Sequence, residues 1–248
     1  MKKRKGVRMN LDYLKNNIKI DTHTHTIISG HAYNTIKEMR QSAKEKGLEL
    51  LCITEHGPKL PSAPHEYYFS NLGIMDYDDT LFGIESNIID LKGNLDYENI
   101  YFNNGGLPFV IASFHSTILV PGSKFQNTNA YIKAIEKPFV NVIGHIDDGL
   151  IPCDYEEIVL AAKENKVLVE VNNSSLSKMS FRKNSRENIL LYLDLCKKYN
   201  VPICLSSDAH YEKDIANYSN IYPLLETLDF PIELIVNTSL DKFKDYHK

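Results

Sequence analysis

The chain has 248 residues, 43% of them hydrophobic and 24% charged, which is an ordinary composition for a soluble globular protein with one sizeable core. Its formal net charge of −4 counts against a general nucleic-acid binder or an anionic-membrane binder. No apolar run is long enough to span a bilayer, and the basic start MKKRKGVRMN leads into the polar LDYLKNNIKI rather than an apolar signal core.

Residues 1–17 read as a basic and polar tail, poorly ordered at its start, and 18–248 as a single domain. The first expected strand is KIDTHT, and alternation along it puts His23 and His25 on one face. His31 follows on a Ser-Gly loop. Asn34 is the expected cap of a helix running to about Lys46, with Gly47 as its stop. LELLCITEH is a strand ending at His56. A Pro-rich loop and an aromatic, acidic stretch lead to the strand LFGIESNIID, and LKGNLDY reads as a turn into a hairpin partner. PFVIASFH is another apolar run ending in histidine. A helix over about 127–137 precedes the strand FVNVIGH, and Asp154 caps a helix to Lys163. The strand VLVEVNNSS, a helix over 185–199 and the strand VPICLSSDAH follow, then a short helix near Tyr222 and a weak final element. This alternation of strand and helix implies a largely parallel sheet with helical crossovers, and about seven strands in one domain favour a closed or nearly closed barrel.

The four cysteines, Cys52, Cys153, Cys196 and Cys204, are scattered and form no CxxC pair. That suits a reduced, cytoplasmic protein without disulfides.

The histidines recur at one structural place. His23 and His25, His56, His115, His145 and His210 all close apolar strand-like runs, and Asp208 stands two residues before His210. In a parallel α/β barrel every strand C-terminus meets at one face, where active sites lie. Glu85 sits inside an apolar strand, where a charge needs a partner. With His31, these residues are too many for one ion, since a zinc site takes about four ligands. The count favours a multinuclear site of three metals, and imidazole with carboxylate suits zinc, manganese or iron. His65 and His247 are left over.

As an ordered set, THTHT, ITEHG, GIESN, SFH, IGH and SDAH resemble the motifs of the PHP (polymerase and histidinol phosphatase) family. GHAYNT, SAPHEYYF and EVNNSS resemble its YcdX-type phosphatase branch. The resemblance covers nearly everything from Ile18 onward. It implies a single-domain distorted (β/α)7 barrel with a trinuclear zinc site at the C-terminal ends of the strands. His23, His25, His31, His56, Glu85, His115, His145, Asp208 and His210 are the implied ligands. Three departures stand out. Glu55 occupies the position before His56 where the family motif reads T-D-H-G. HIDDG, beginning at His145, stands where that branch has HPGNP after its strand. The stretch 66–90 carries no Lys or Arg.

The expected activity is hydrolysis of a small phosphomonoester by a metal-bound hydroxide, with His31, Asp208 and His210 as the candidate catalytic residues. Lys124, Lys178, Arg182 and Lys183 are candidate anion holders, and Asn172 and Asn173 candidate hydrogen-bonding groups for substrate or turn. The expected partner is a small phosphorylated substrate, with no membrane and no general nucleic-acid binding; a homo-oligomer is left open. An amidohydrolase-type C–N hydrolase is an alternative, but no lysine ends a strand to bridge metals. A 3′-end nuclease is chemically adjacent, and the acidic balance weighs against it. A non-catalytic metal-binding module stands last, because structural zinc sites are closed by four protein ligands.

Overall fold

A computed structural model describes residues 9–97 and 109–247. Helix α1 (Leu11–Asn16) is capped by Asn10, whose side chain accepts from the Tyr13 amide, and it buries Leu14 in the core. Residues 1–8 lie outside the described residues. Seven parallel strands follow: β1 (Ile20–Asp21), β2 (Leu50–His56), β3 (Thr80–Asn87), β4 (Phe109–Ser113), β5 (Val142–Ile143), β6 (Leu168–Asn172) and β7 (Ile203–Ser206). They lie side by side in sequence order. Crossover helices α2 (Ile36–Glu45), α4 (Lys124–Ile135), α5 (Tyr155–Asn165) and α6 (Ser185–Tyr199) pack outside them. Short helices α3 (Glu66–Ser70), α7 (Tyr222–Thr227) and α8 (Leu240–Lys244) complete the set.

The barrel closes where β1 meets β7. Thr24 bridges Ala209 in parallel, and the amides of His25 and Asp208 donate to the carbonyls of Ala209 and His23. The buried Asp21 carboxylate accepts from the Ser207 amide and hydroxyl and from the Ala216 amide. Burial raises its pKa against those hydrogen bonds.

Alternation along the strands sorts the core. Ile20, Cys52, Phe109, Ile111, Val142, Leu168 and Cys204 fill the barrel interior, closed off by Val236 and Phe243 from the C-terminal segment. Their neighbours, such as Ile53, Val110, Ala112, Val169 and Leu205, face the helices in the larger cluster. The same parity, two or four residues further along, turns His56, Glu85 and Glu170 inward at the strand ends. Register then sets Glu85 directly beside His56 on one side and Ile111 on the other.

Three local expectations are corrected. The cap of α2 is Thr35 rather than Asn34: its hydroxyl accepts from the Glu38 amide, and Glu38 reaches back to the Thr35 amide, a capping box. Asn34 instead accepts from the amide of Glu212. The hairpin partner after β3 reduces to a single antiparallel bridge, Ile88 with Leu95, turning through Gly93. Helix α4 begins at Lys124, earlier than expected, because Ser123 and Gln126 form a second capping box. The helix over 185–199 and the Asp154 cap match expectation.

Candidate active site

All nine expected ligand residues come together at the C-terminal ends of the strands. Glu85 is the hub. Its Oε1 lies 2.9 Å from His145 Nε2 and 3.3 Å from His115 Nε2, and its Oε2 lies 2.6 Å from His56 Nδ1 and 3.4 Å from His23 Nε2. Asp208 Oδ1 sits 3.2 Å from His25 Nε2 and 3.7 Å from His23 Nε2. His31 Nε2 is 3.2 Å from His56 Nε2 and 3.0 Å from His210 Nε2. Three overlapping groups have donor atoms close enough to share an ion: His23, His25 and Glu85; His56, Glu85 and His115; and His25, His56 and His210.

Hydrogen bonds behind the cluster set the tautomers. Nδ1 of His23 donates to Glu170 at 2.7 Å, and Nδ1 of His115 donates to Asn87 Oδ1 at 2.7 Å. Nδ1 of His31 donates to the Ser29 carbonyl, and Nδ1 of His210 donates to the Asp208 carbonyl. Ser29 gives its hydroxyl proton to Glu55 and accepts from His25 Nδ1 and from the His56 amide. In its neutral form each of these rings is left with an Nε2 lone pair facing the cluster. Lone pairs 3.0 Å apart, as on His31 and His210, repel unless a cation lies between them. His56 Nδ1 and Glu85 Oε2, though 2.6 Å apart, lack the alignment of a hydrogen bond, and the buried His145 Nδ1 and Asp208 Oδ1 also have no hydrogen-bond partner. Buried polar atoms are normally satisfied, so the donor set fits bound divalent metal.

The backbone bends to deliver these groups. His145 and Asp208 stand two residues past their strands with φ of 23° and 54°, a region that costs non-glycine residues about 1–3 kcal/mol. The Glu170 carboxylate also accepts from the His145 amide, which helps hold that conformation.

The electrostatics divide the cluster. Burial pushes Glu85 and Asp208 toward their neutral acids, but the neighbouring imidazoles, His23 foremost, outweigh it and hold both well below the usual carboxylate range. Burial alone would depress His23; Glu85, Glu170 and Asp208 outweigh it and raise its pKa well above that of ordinary imidazole. Burial keeps His25, His31, His56 and His115 below the ordinary value, reinforced for His25 by His56 and His210.

A cleft of about 470 Å³ opens above the cluster, lined in part by His31, Asp208 and His210. Of the four candidate anion holders, Arg182 alone lines it. Its Nη1 donates to Ser175 Oγ at 2.9 Å, Ser175 donates to the buried Asp147, and Nη2 lies 4.0 Å from Asp208 Oδ2. Lys124 pairs with Asp154 on the surface, and Lys178 and Lys183 are exposed and are not among the residues lining the cleft. Asn172 donates to Asp208 Oδ2 and accepts from the Ser175 amide, while Asn173 accepts from the Asn220 amide. His65 caps α3. Glu170, Asn87 and the Ser175–Asp147 pair were not anticipated from the sequence. Glu170 carried a usable signal, a carboxylate inside the apolar run VLVEVNN.

A family model described as "PHP domain" matches residues 21–177. A probable phosphatase of Caldicellulosiruptor saccharolyticus is 44% identical over 237 residues, spanning 92% of this chain and 95% of the relative. One from Acetivibrio thermocellus is 41% identical over 235 residues, spanning 92% and 95%. Among solved structures, histidinol phosphate phosphatase from Lactococcus lactis, complexed with zinc, L-histidinol and phosphate, superposes with a TM-score of 0.61. The two share 18% identity over 86% of this chain and 95% of that one, a likeness of fold.

Proposed function

The chain belongs to the PHP domain family, and from that premise we propose that it is a metal-dependent phosphatase hydrolysing a small phosphomonoester at a trinuclear centre, with zinc as the metal and manganese or iron as substitutes. The observation that carries this reading is the convergence on Glu85 of imidazole nitrogens and buried, unpartnered acceptors. Three overlapping donor groups support three ions over one. Both relatives carry the name probable phosphatase, which supports the reaction class. Bound divalent ions supply Lewis acidity and a water acidic enough to act near neutral pH.

The protein's own groups do the rest. Glu170 and the Glu55–Ser29 pair orient His23 and His25. Arg182, backed by Ser175 and Asp147, is placed to hold a non-bridging phosphate oxygen and offset charge that builds in the transition state. His31, Asp208 and His210 complete the cluster and, with His56, Glu85 and His115, line the cleft, which supports a place for them beside the group that reacts.

The test is metal content by plasma mass spectrometry on untagged, metal-reconstituted protein, paired with p-nitrophenyl phosphate hydrolysis by the same sample. The reading expects about three ions per chain, at roughly four donors each with some shared, and turnover that a chelator abolishes. One ion or none, with no turnover, sinks it.

A further inference from the structure

The cleft is larger than a phosphate group requires, and its walls constrain what else enters. Leu60 and Pro61, from the loop after β2, and Met179 and Phe181, from the loop after β6, line it together with the metal-side residues. Met179 is 92% exposed and Phe181 62%. Large apolar side chains held open to water beside a polar site gain stability when a ligand covers them. Both loops are fixed. Gly30, at φ 81°, packs so closely on Ser62 that a Cβ would lie 2.4 Å from the Ser62 carbonyl oxygen. Ser62 itself is at φ 71°, and its hydroxyl donates to the Ser29 carbonyl. After β6, the Lys183 amide donates to Asp148 and its carbonyl accepts from Gly149.

The charges are equally restrictive. Among the described residues, Arg182 is the only Lys or Arg lining the cleft, and Glu85 and Asp208 are its only carboxylates. Both carboxylates are committed to the cluster. Apart from Arg182, no lining residue offers a second phosphate a cation, and none offers an ammonium a free carboxylate. Thr117, Ser174, Ser177 and Ser180 add hydroxyls without charge.

Building on the phosphatase reading, we propose that the substrate is a monophosphate ester of an uncharged alcohol with an apolar or aromatic body, the phosphate meeting Arg182 and the cluster while Leu60, Pro61 and Phe181 cover the alcohol. A nucleoside polyphosphate, a sugar bisphosphate or an amino-alcohol phosphate fits these walls poorly.

The test compares 2-phenylethyl phosphate, glycerol 3-phosphate and L-histidinol phosphate with the metal-loaded enzyme. All three are alkyl esters, so leaving-group reactivity differs little and the pocket decides. The expected result is a kcat/KM for 2-phenylethyl phosphate at least ~10-fold above the other two, carried mainly by KM, since apolar pocket contacts discriminate by about this much. Phe181→Ala and Leu60→Ala should each shrink that ratio toward parity. Equal or better turnover of glycerol 3-phosphate or L-histidinol phosphate overturns the inference and leaves the phosphatase reading standing. No turnover of any ester by protein of full metal content overturns both.

Discussion

His23 and Glu170 form a buried pair, with Nδ1 donating to the carboxylate at 2.7 Å and neither side chain exposed. The second oxygen of Glu170, on β6, accepts from the amide of His145, so one carboxylate steers two ligand residues that follow different strands, β1 and β5. Burial raises the pKa of Glu170, but the charge and hydrogen bond of His23 outweigh it and keep the carboxylate ionised. Carboxylates behind ligand histidines fix the ring and increase its basicity.

Glu170→Gln keeps the shape and removes the charge. It should weaken metal binding by about 10- to 100-fold, read by competition with a chromophoric chelator, although Glu170 lies outside the nine expected ligands. Unchanged affinity would mean that Glu170 serves packing alone.

The same pair governs proton traffic. His23 is raised well above 6.5 in the metal-free protein, whereas His25, His31, His56 and His115 are lowered. Near pH 7, His23 therefore carries a proton that a metal must displace, and the lowered histidines carry none. Their signs are opposite. The His23 proton stabilises the metal-free fold fully below about pH 6.5, the unfolded value, and that contribution is lost as pH rises through the folded pKa. Metal affinity should correspondingly climb with pH until His23 has lost its extra proton. Calorimetric titration with zinc in two buffers of different protonation enthalpy should show release of about one proton from His23, less in Glu170→Gln. Identical release in the two proteins would refute the assignment to His23.

Arg182→Lys preserves charge but not the fork that reaches Ser175 while facing the cleft. A charged hydrogen bond is worth about 1.5–3 kcal/mol, so kcat/KM for p-nitrophenyl phosphate should fall roughly 10- to 100-fold. Inhibition by inorganic phosphate should weaken in step, and metal content should stay constant. Loss of metal together with activity would instead make Arg182 a support for Asp208, 4.0 Å away.

Much of this site was legible because strand ends repeat. His56, His115, His145 and His210 each end an apolar run, and a parallel barrel gathers such ends at one face. Glu85 stood out as a charge among apolar neighbours. Glu170 has the same character, yet its partner His23 is 147 residues away, and a single sequence carries no pairing information over that span. The strands themselves were overestimated. β1 and β5 pair over only two residues each, because the chain leaves the ladder to aim His23, His25 and His145 into the cluster. The choice of Arg182 over Lys124 depended on loop direction. The Thr35 cap depended on a reciprocal bond with Glu38, a spacing that the sequence does contain.

The rigid junction beneath His31 gives the last prediction. Gly30 meets two constraints at once: φ of 81°, and a Cβ position 2.4 Å from the Ser62 carbonyl oxygen and 2.6 Å from its Cβ. Gly47 has φ of 77° with nothing within 4 Å of its Cβ position, so it isolates the backbone term. Gly47→Ala should cost about 1–2 kcal/mol from left-handed strain alone. Gly30→Ala carries that cost plus displacement of backbone on a loop that Ser62 ties to Ser29. Because the next residue is His31, which meets His56 and His210, the displacement should reach the cluster. Gly30→Ala should therefore lower both melting temperature and turnover, while Gly47→Ala lowers melting temperature only. Equal activity loss in the two variants would show that turnover follows global stability rather than the position of His31.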